Sequence, residues 1–315
     1  MKKLTLIIPC YNEADALPLF AAELNKVIVQ LTNYNTEVLL INDGSSDQTL
    51  TVMKEICASD SHYKYISFSR NFGKESAMMA GLENAGGDCV VVMDCDLQHP
   101  PETIVEMYRL WQQGYEVVEG VKRTRGKENV FHKLSAGLFY KLISKAVKID
   151  MSRASDFKLM DRRAVEALLA MPERNAFFRA LSSWIGFRTT SVEFDVQERE
   201  IGESKWSTKS LIRYAISNIV SFSSAPMTLV TITGILGFLF AVILGIQTLV
   251  NYFSGHAVEG FTTVILIILI MGSLILMGLG VIGYYIAKIY EEVKCRPRYI
   301  VSRKVGAGMT WEKRR

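Results

Sequence analysis

Two aspartates, Asp94 and Asp96, stand one residue apart where an apolar run ends, and they are the side chains best suited to chemistry. The run, residues 90–93, is typical of a buried strand, and prolines at residues 100–101 follow it. Because alternate residues of a strand point to the same side, both carboxylates could reach one ion where the strand ends. Carboxylate oxygens suit Mg²⁺ or Mn²⁺, and these ions usually also hold substrate phosphates. A solvated turn is the competing interpretation, since two acids beside a proline turn are common.

Strand-like and helix-like segments alternate between residues 4 and 121. Apolar runs predict strands at residues 4–8, 37–42, 64–68, 89–94 and 116–121, with a helix at 14–31. This alternation indicates an α/β fold with an open, mostly parallel sheet. In such sheets ligands bind at the carboxyl ends of the strands. Polar clusters stand at these ends, at residues 11–13, 43–45, 70–73 and 94–98, so we expect them to share one site.

Two later stretches, residues 229–250 and 261–287, contain no charged residue. Each exceeds the ~20 residues that cross a bilayer core, and a soluble core helix of that length would show charges on one face. The short connector between them, residues 251–260, makes the pair a transmembrane hairpin. Lysines and arginines flank the hairpin and are absent from the connector. The positive-inside rule therefore places both termini and the large N-terminal region in the cytoplasm.

The net charge of +4 is mild for 315 residues. It fits attraction to an anionic membrane surface better than a nucleic-acid footprint, so we expect no nucleic-acid partner. Two amphipathic segments, residues 134–147 and 210–222, carry basic polar faces. Each could pack on a protein core, but the basic faces favour helices that lie on the bilayer. The cysteines show no CxxC spacing and no His-Cys cluster, which argues against a zinc site or a disulfide framework.

Several short motifs follow one another along the chain: Ile8-Pro9-Cys10-Tyr11-Asn12-Glu13, Asn42-Asp43-Gly44-Ser45-Ser46-Asp47, Arg70-Asn71-Phe72-Gly73-Lys74-Glu75, Asp94-Cys95-Asp96-Leu97-Gln98-His99-Pro100, Ser155-Asp156-Phe157-Lys158-Leu159-Met160 and Gly202-Glu203-Ser204-Lys205-Trp206. With the hairpin and the closing Arg296-Pro297-Arg298-Tyr299-Ile300, they cover nearly the whole chain. In these motifs the protein resembles the membrane-associated family 2 glycosyltransferases that make polyprenyl-phosphate sugars. That group includes dolichol-phosphate mannose synthases and bactoprenol glucosyltransferases, and the two-helix C-terminus is more similar to the bacterial bactoprenol branch.

The resemblance implies a GT-A-like fold: a mostly parallel sheet with flanking helices, interfacial amphipathic helices and a C-terminal transmembrane hairpin. It divides the chain into a cytoplasmic catalytic domain at residues 1–206 with an interfacial helix at 134–148, a juxtamembrane helix at 207–225, the hairpin at 226–290 and a cytoplasmic basic tail at 291–315. We therefore expect a multi-pass protein of the bacterial inner (cytoplasmic) membrane. Relatives of this kind suggest a homotetramer.

The activity that the resemblance implies is inverting transfer of a hexose from a nucleotide diphosphate sugar to undecaprenyl phosphate at the cytoplasmic face of the membrane. The hexose is glucose or N-acetylglucosamine, and the bacterial branch favours a UDP donor over a GDP donor. The lipid-linked sugar would serve cell-envelope glycan modification. The alternative is a catalytically silent membrane scaffold on a transferase fold, against which the intact Asp94, Asp96 and Asp156 argue.

The same resemblance assigns roles on the donor side of the site. Asp96, with Asp94 and Gln98 nearby, would hold Mg²⁺ or Mn²⁺, which neutralises the diphosphate leaving group. Asp94 could instead contact the ribose or a metal-bound water. The residues expected to bind the nucleotide sugar are Pro9, Tyr11, Glu13, Asp43, Lys74 and Asp94. Asn42 stands where many relatives carry a first aspartate, which leaves Asp43 as the base or ribose contact, and Tyr11 could alternatively be a packing residue.

Basic residues are the candidates for binding the lipid phosphate, because arginine can hold phosphate oxygens bidentately. They are Arg123, Arg125 and Lys133, with Arg199 and Lys205 as second candidates. A solvated basic face that touches lipid headgroups is the competing interpretation for each of them.

Asp156 matches the catalytic base that is proposed for the family. A phosphate monoester has a second pKa near ~6, however, so the acceptor oxygen is already largely ionised at neutral pH. Such an acceptor needs a base less than a sugar hydroxyl would. Asp156 could instead orient the acceptor or stabilise positive charge that develops on the sugar.

Overall fold

The structure is a computed structural model, and it describes residues 2–31, 35–123, 155–171, 173, 177–195, 225–254 and 260–305. The chain divides into two compact units. The first is formed by Met1–Leu211 together with Arg296–Arg315, and the second by Ile212–Cys295. The predicted amphipathic helices at residues 134–148 and 210–222 lie outside the described residues.

One sheet with flanking helices makes up the first unit. Its strands are β1 (Lys3–Cys10), β2 (Asn35–Asn42), β3 (Tyr63–Phe68), β4 (Cys89–Val92), β5 (Val117–Lys122), β6 (Lys158–Asp161), β7 (Thr189–Phe194) and β8 (Val301–Val305). Its helices are α1 (Ala16–Gln30), α2 (Thr49–Ser59), α3 (Lys74–Asn84), α4 (Thr103–Gln112), α5 (Arg162–Leu169) and α6 (Phe178–Trp184). The strand order is β7-β5-β6-β4-β1-β2-β3-β8. Among the described strands β6 and β8 run antiparallel to their neighbours and the other pairings are parallel, which confirms the prediction of a mostly parallel α/β sheet.

The central strands β1 and β2 are buried along nearly their whole length, as expected for parallel strands with helices on both faces. They pair in register along their whole length, with Lys3 opposite Asn35 and Cys10 opposite Asn42. Their carboxyl ends therefore finish level with each other. The polar loops that follow them start at one edge of the sheet, as the sequence predicts.

Helix α3 packs very close to the sheet at Gly81. A Cβ atom on Gly81 would stand 2.2 Å from the Cγ2 atom of Ile7, so any larger residue would push the helix away from β1. Because α3 begins at Lys74, this packing also fixes the position of Lys74. The opposite face of β1, which includes Leu6, lies in the main core with Phe20 of α1.

Two long helices form the described part of the second unit, α7 (Ala225–Phe253) and α8 (Phe261–Val293). Within them, Pro226–Asn251 and Ile267–Val293 are long and apolar enough to cross a membrane, with 26 and 27 residues. Almost none of their most apolar part is buried, whereas the core helix of a soluble protein would be covered. The prediction of two long apolar helices joined by a short connector is confirmed, and these outward apolar faces indicate association with a membrane.

The segment after α8, for which the sequence predicts a basic tail, contains a strand. Residues 301–305 form β8, which pairs antiparallel with β3 at one end of the sheet. The strand is short and carries Arg303 and Lys304, and charged side chains on an edge strand discourage pairing with further chains. The sequence did not predict this strand, because its pairing partner lies more than two hundred residues earlier in the chain.

Candidate active site

The loops that follow β1 and β2 are joined by hydrogen bonds. The N–H of Asn12 donates to the Ser45 hydroxyl (3.0 Å), and the side-chain carbonyl of Asn12 accepts from the N–H of Ser46 (2.9 Å). The N–H of Glu13 donates to the Thr49 hydroxyl (2.9 Å). Asn12 adopts a φ of 56°, a left-handed conformation that asparagine tolerates better than most residues. The two loops therefore form one continuous rim at the carboxyl edge of the sheet.

Three of the predicted nucleotide contacts lie on the first of these strands and its loop. Pro9 is buried inside β1, Glu13 is half-buried, and Tyr11 is 39% exposed. The exposed ring of Tyr11 offers a face to a ligand, which favours a binding role over simple packing. Pro9 contributes through the shape of the strand end, where its carbonyl lies 3.9 Å from the thiol sulfur of Cys95.

Asp43 is buried beneath the loop that follows β3. Its carboxylate accepts the N–H of Phe72 (2.7 Å) and the N–H of Gly73 (2.9 Å), one on each oxygen. Burial raises the pKa of Asp43, and the two N–H donors act in the opposite direction. Gly44 lets this loop come close, since a Cβ there would stand 2.2 Å from the backbone carbon of Arg70. Asp43 therefore holds the 69–73 loop in place, and its contact with a base or ribose stays a prediction.

Four side chains form a row in which negative and positive charges alternate, in the order Asp94, Lys74, Asp156 and Arg179. The Lys74 ammonium lies 2.7 Å from Oδ1 of Asp94 and 3.0 Å from Oδ2 of Asp156. Arg179 holds the other side of Asp156 bidentately, with Nε 2.7 Å from Oδ1 and Nη2 2.8 Å from Oδ2. The structure thus brings three predicted site residues into direct contact. It places Lys74 between two carboxylates, whereas the sequence assigned it to the nucleotide.

The charges of the neighbouring side chains determine whether Asp156 is protonated. Burial would raise the pKa of Asp156, but Lys74 and Arg179 outweigh it and hold that pKa well below its usual range. Burial likewise would lower the pKa of Lys74, but Asp156 and Asp94 raise it above the usual value. Asp156 is therefore an anion at neutral pH whose two oxygens already accept hydrogen bonds. Such a carboxylate is a poor proton acceptor, which favours its role as a charge-stabilising or orienting group.

Arg179 is the functional candidate that sequence reasoning missed. It lies 23 residues from Asp156 in the chain, outside every motif, so no local pattern marks it. Helix α6 carries it, and two contacts hold that helix in place. The N–H of Phe178 donates to the Glu75 carboxylate (2.9 Å), and the Lys158 ammonium donates to the Ser182 hydroxyl (2.6 Å).

The two residues that support α6 are Glu75, which is half-buried, and Lys158, which is buried. Burial, followed by the nearby negative charge of Asp156, raises the pKa of Glu75 to about 7. Lys158 is fully buried and pairs with Glu119 at 2.9 Å. Burial lowers the pKa of Lys158, and the Glu119 carboxylate acts against that change. Lys158 therefore links β6, β5 and α6 at the position directly behind Asp156.

We expect the substitution Lys158→Met to destabilise the fold. Removing one partner of a buried ion pair leaves the other charge without compensation, which costs about 3–5 kcal/mol. Thermal melting in detergent measures the effect, and Lys26→Met is the matched control because Lys26 and its partner Glu23 are exposed. The double variant with Glu119→Gln should recover much of the loss. Equal melting temperatures for Lys158→Met and Lys26→Met would contradict the pairing.

The two aspartates of the Asp94-Cys95-Asp96 motif lie in a turn and not on a strand. β4 ends at Val92, two residues before Asp94, so the prediction of a strand to residue 94 was wrong and strand alternation does not orient the pair. Leu97 adopts a φ of 57°, which reverses the chain. Oδ1 of Asp96 accepts the N–H of Gln98 (3.2 Å), a bond that closes the turn.

The donor atoms of this turn fit a hard divalent cation. Mg²⁺ is usually held by one or two carboxylates together with substrate phosphates, and Mn²⁺ accepts the same oxygen ligands. Asp96 and Asp94 each provide a carboxylate, and that of Asp94 also pairs with Lys74. Among the described residues no group of three acidic, histidine or cysteine side chains converges as a closed metal cage. The arrangement therefore fits an ion that the substrate helps to bind.

The predicted contacts to the lipid phosphate are mostly outside the described residues. Arg125, Lys133, Arg199 and Lys205 fall there. Arg123 is described and exposed, and it lies 3.3 Å from Asp195 and 3.7 Å from Glu193 at the end of the β5–β7 pair. Its assignment to the lipid phosphate stays a prediction.

Comparisons with known proteins show what this chain is similar to. Mannosyl-3-phosphoglycerate synthase from Rubrobacter xylanophilus, a solved structure, aligns with a TM-score of 0.48 at 18% identity over 70% of this chain and 73% of that one. Among curated relatives, the putative glycosyltransferase CsbB of Bacillus subtilis (strain 168) is 41% identical over 95% of this chain and 91% of its own length. The SfII prophage-derived bactoprenol glucosyl transferase of Shigella flexneri is 38% identical over 96% of this chain and 98% of its own. Residues 5–169 match the family model of glycosyl transferase family 2. The chain therefore belongs to glycosyl transferase family 2 and is a glycosyltransferase.

Proposed function

We propose that this protein transfers glucose from UDP-glucose to undecaprenyl phosphate at the cytoplasmic face of the bacterial inner membrane. One observation carries the proposal. The similarity to a protein named bactoprenol glucosyl transferase extends over 96% of this chain, so it includes both apolar helices as well as the sheet. A lipid acceptor requires a membrane-associated enzyme, and α7 and α8 supply that association.

The donor side of the site follows from the loops at the carboxyl edge of the sheet. We assign the nucleotide to the rim formed by Pro9, Tyr11, Glu13 and Asp43. A divalent ion at Asp96, with Asp94 and Gln98 beside it, would neutralise the diphosphate as it leaves. Exposed Tyr11 contacts the base or ribose, while buried Asp43 keeps the 69–73 loop in its binding position.

In the transfer step, an oxygen of the acceptor phosphate forms the bond to the anomeric carbon. The bond from that carbon to the donor diphosphate breaks, and its electron pair leaves with the nucleoside diphosphate. Direct attack of this kind inverts the anomeric carbon. The acceptor phosphate is already largely ionised near neutral pH, so no proton must be removed from it.

Asp156 is the anion that organises this step. It holds Lys74 and Arg179 at fixed distances, and its charge can stabilise positive charge that develops on the sugar. Lys74 in turn pairs with Asp94. One lysine therefore connects the donor side of the site, at Asp94, with the acceptor side, at Asp156. The lipid phosphate itself is assigned to Arg123, Arg125 and Lys133, with Arg199 and Lys205 in support.

The arrangement in the membrane belongs to the same proposal. The charge-free connector and the basic flanks of the hairpin support two spans with both termini in the cytoplasm. The resemblance to bactoprenol enzymes supports a homotetramer. The product would supply glucose for modification of cell-envelope glycans.

The proposal is tested with purified protein in detergent, undecaprenyl phosphate, Mn²⁺ or Mg²⁺, and a panel of radiolabelled UDP- and GDP-sugars. The readout is label that moves into the organic phase. We expect transfer from UDP-glucose, and we expect EDTA or Asp96→Ala to abolish it, while Asp60→Ala, a surface aspartate paired with His62, leaves it intact. No transfer and no donor binding with any sugar would favour the catalytically silent scaffold instead.

A further inference from the structure

The segment that follows the second apolar helix is bound to the catalytic unit by several contacts. Arg298 donates to the backbone carbonyls of Met171 and Glu173. The carbonyl of Ile300 accepts the N–H of Ser69 (3.0 Å). These contacts, together with β8, make residues 298–305 an integral part of the sheet unit although they follow α8 in the chain.

Tyr299 makes two further contacts of this kind. Its ring stacks on Phe68, with the ring centroids 4.8 Å apart and the planes 18° apart. Its hydroxyl donates to the Glu83 carboxylate near the end of α3. Tyr299 therefore touches the carboxyl end of β3 and the helix that begins at Lys74.

Phe68 connects Tyr299 with the 69–73 loop. The ring of Phe72 meets Phe68 edge to face, with centroids 5.8 Å apart and planes 86° apart. The N–H groups of Phe72 and Gly73 are the two donors that bind Asp43. The loop is thus held on one side by Asp43 and Gly44 and on the other by Tyr299 through Phe68.

The strand pairing supports the same end of β3. The register between β3 and β8 shifts between Ser67 and Phe68. At that irregularity the Ser302 hydroxyl donates towards the carbonyls of Ser67 (3.0 Å) and Phe68 (3.2 Å). The returning chain therefore binds both of these carbonyls and supports Phe68 at the end of β3.

We propose that Tyr299 is a positioning residue for the nucleotide donor site, acting through Phe68 and the 69–73 loop. The inference rests on the proposed function, because that function places the nucleotide against the rim that includes Asp43, to which this loop is hydrogen-bonded. It adds that the donor site is complete only when the chain has returned from the membrane helices to the sheet. The hairpin and the closing segment thus have separate roles, one in the membrane and one in shaping the site.

The test compares full-length protein with Tyr299→Ala, Tyr299→Leu and Tyr299→Phe. Isothermal titration with UDP and with GDP, each with Mn²⁺ and without acceptor, gives the dissociation constant. We expect Tyr299→Ala to weaken nucleotide binding by about 5- to 10-fold, the effect of losing one aromatic pair. Tyr299→Phe keeps the stacked ring and should bind as the natural chain does, and Tyr299→Leu should lie between them. In transfer assays the KM for the donor should rise with little change in kcat or in the KM for the lipid.

Val305→Ala is the matched control, because Val305 is a half-exposed apolar residue of β8, the strand that follows Tyr299. It should bind nucleotide normally. Thermal melting shows whether each variant is folded. If Tyr299→Ala is unfolded, the binding measured for Tyr299→Leu decides the test. Normal binding by Tyr299→Ala or by folded Tyr299→Leu, or equal weakening in Tyr299→Phe, would overturn the inference alone. A natural chain that binds neither UDP nor GDP would overturn the proposed donor and this inference with it.

Discussion

Replacing Asp156 with asparagine is expected to lower kcat for glucosyl transfer by about 10²–10³-fold, the size of effect that follows loss of one preorganised charge-stabilising group. Asparagine keeps the shape of the side chain but carries no charge. Lys74 and Arg179 would then lose the anion that they share. The measurement is kcat with saturating donor and lipid, together with the dissociation constant of the donor nucleotide.

Donor binding should survive this change, because Asp156 is not part of the nucleotide rim. Asp60→Asn is the control, since the Asp60 carboxylate pairs with the exposed His62. The kcat and the donor dissociation constant of Asp60→Asn should both equal those of the natural chain. Lost donor affinity in Asp156→Asn, with kcat preserved at saturation, would contradict the role that we give to this residue.

Lys74→Met is the second change with a large expected effect, a fall in kcat of about 10²-fold. Without the ammonium, the carboxylates of Asp94 and Asp156 would face each other with no cation between them. Like charges raise each other's pKa, and the alternation of charge in the site would be lost. Steady-state kinetics at several donor concentrations separates this loss from a change in donor KM.

The exposed Lys54 provides a control for Lys74, and Lys54→Met should behave as the natural chain does. The sequence had placed Lys74 among the nucleotide contacts. If that role were its main one, Lys74→Met would raise the donor KM and leave kcat at saturation almost unchanged. That result would show that the bridge between Asp94 and Asp156 has little part in the transfer step.

The central sheet was predictable because its strands are apolar runs that end in polar turn residues. The predicted starts and ends of β1, β2, β3 and β5 agree with the structure to within two residues. Sequence reasoning missed β6, β7 and β8, which pair with distant segments of the chain. No local pattern in Val301–Val305 predicts that this segment pairs with β3.

The site was predictable in its residue types but not in its connections. Asp94 and Asp156 were named from motifs, yet the lysine that joins them lies 20 residues from one and 82 from the other. Ion pairs across such separations depend on the finished sheet. Arg179 was missed for the same reason, since only the packing of α6 brings it to Asp156.

The pH dependence of kcat tests the central claim most directly, namely that Asp156 is a permanent anion and the ionised acceptor phosphate attacks by itself. The rate would be measured between about pH 5 and 9 with undecaprenyl phosphate and with its phosphonate analogue, whose second pKa is higher because carbon replaces the ester oxygen. The account predicts that the rate falls below about pH 6 with the phosphate and at a higher pH with the phosphonate. A fall at one and the same pH with both acceptors, lost in Asp156→Asn, would show instead that Asp156 titrates as the catalytic base.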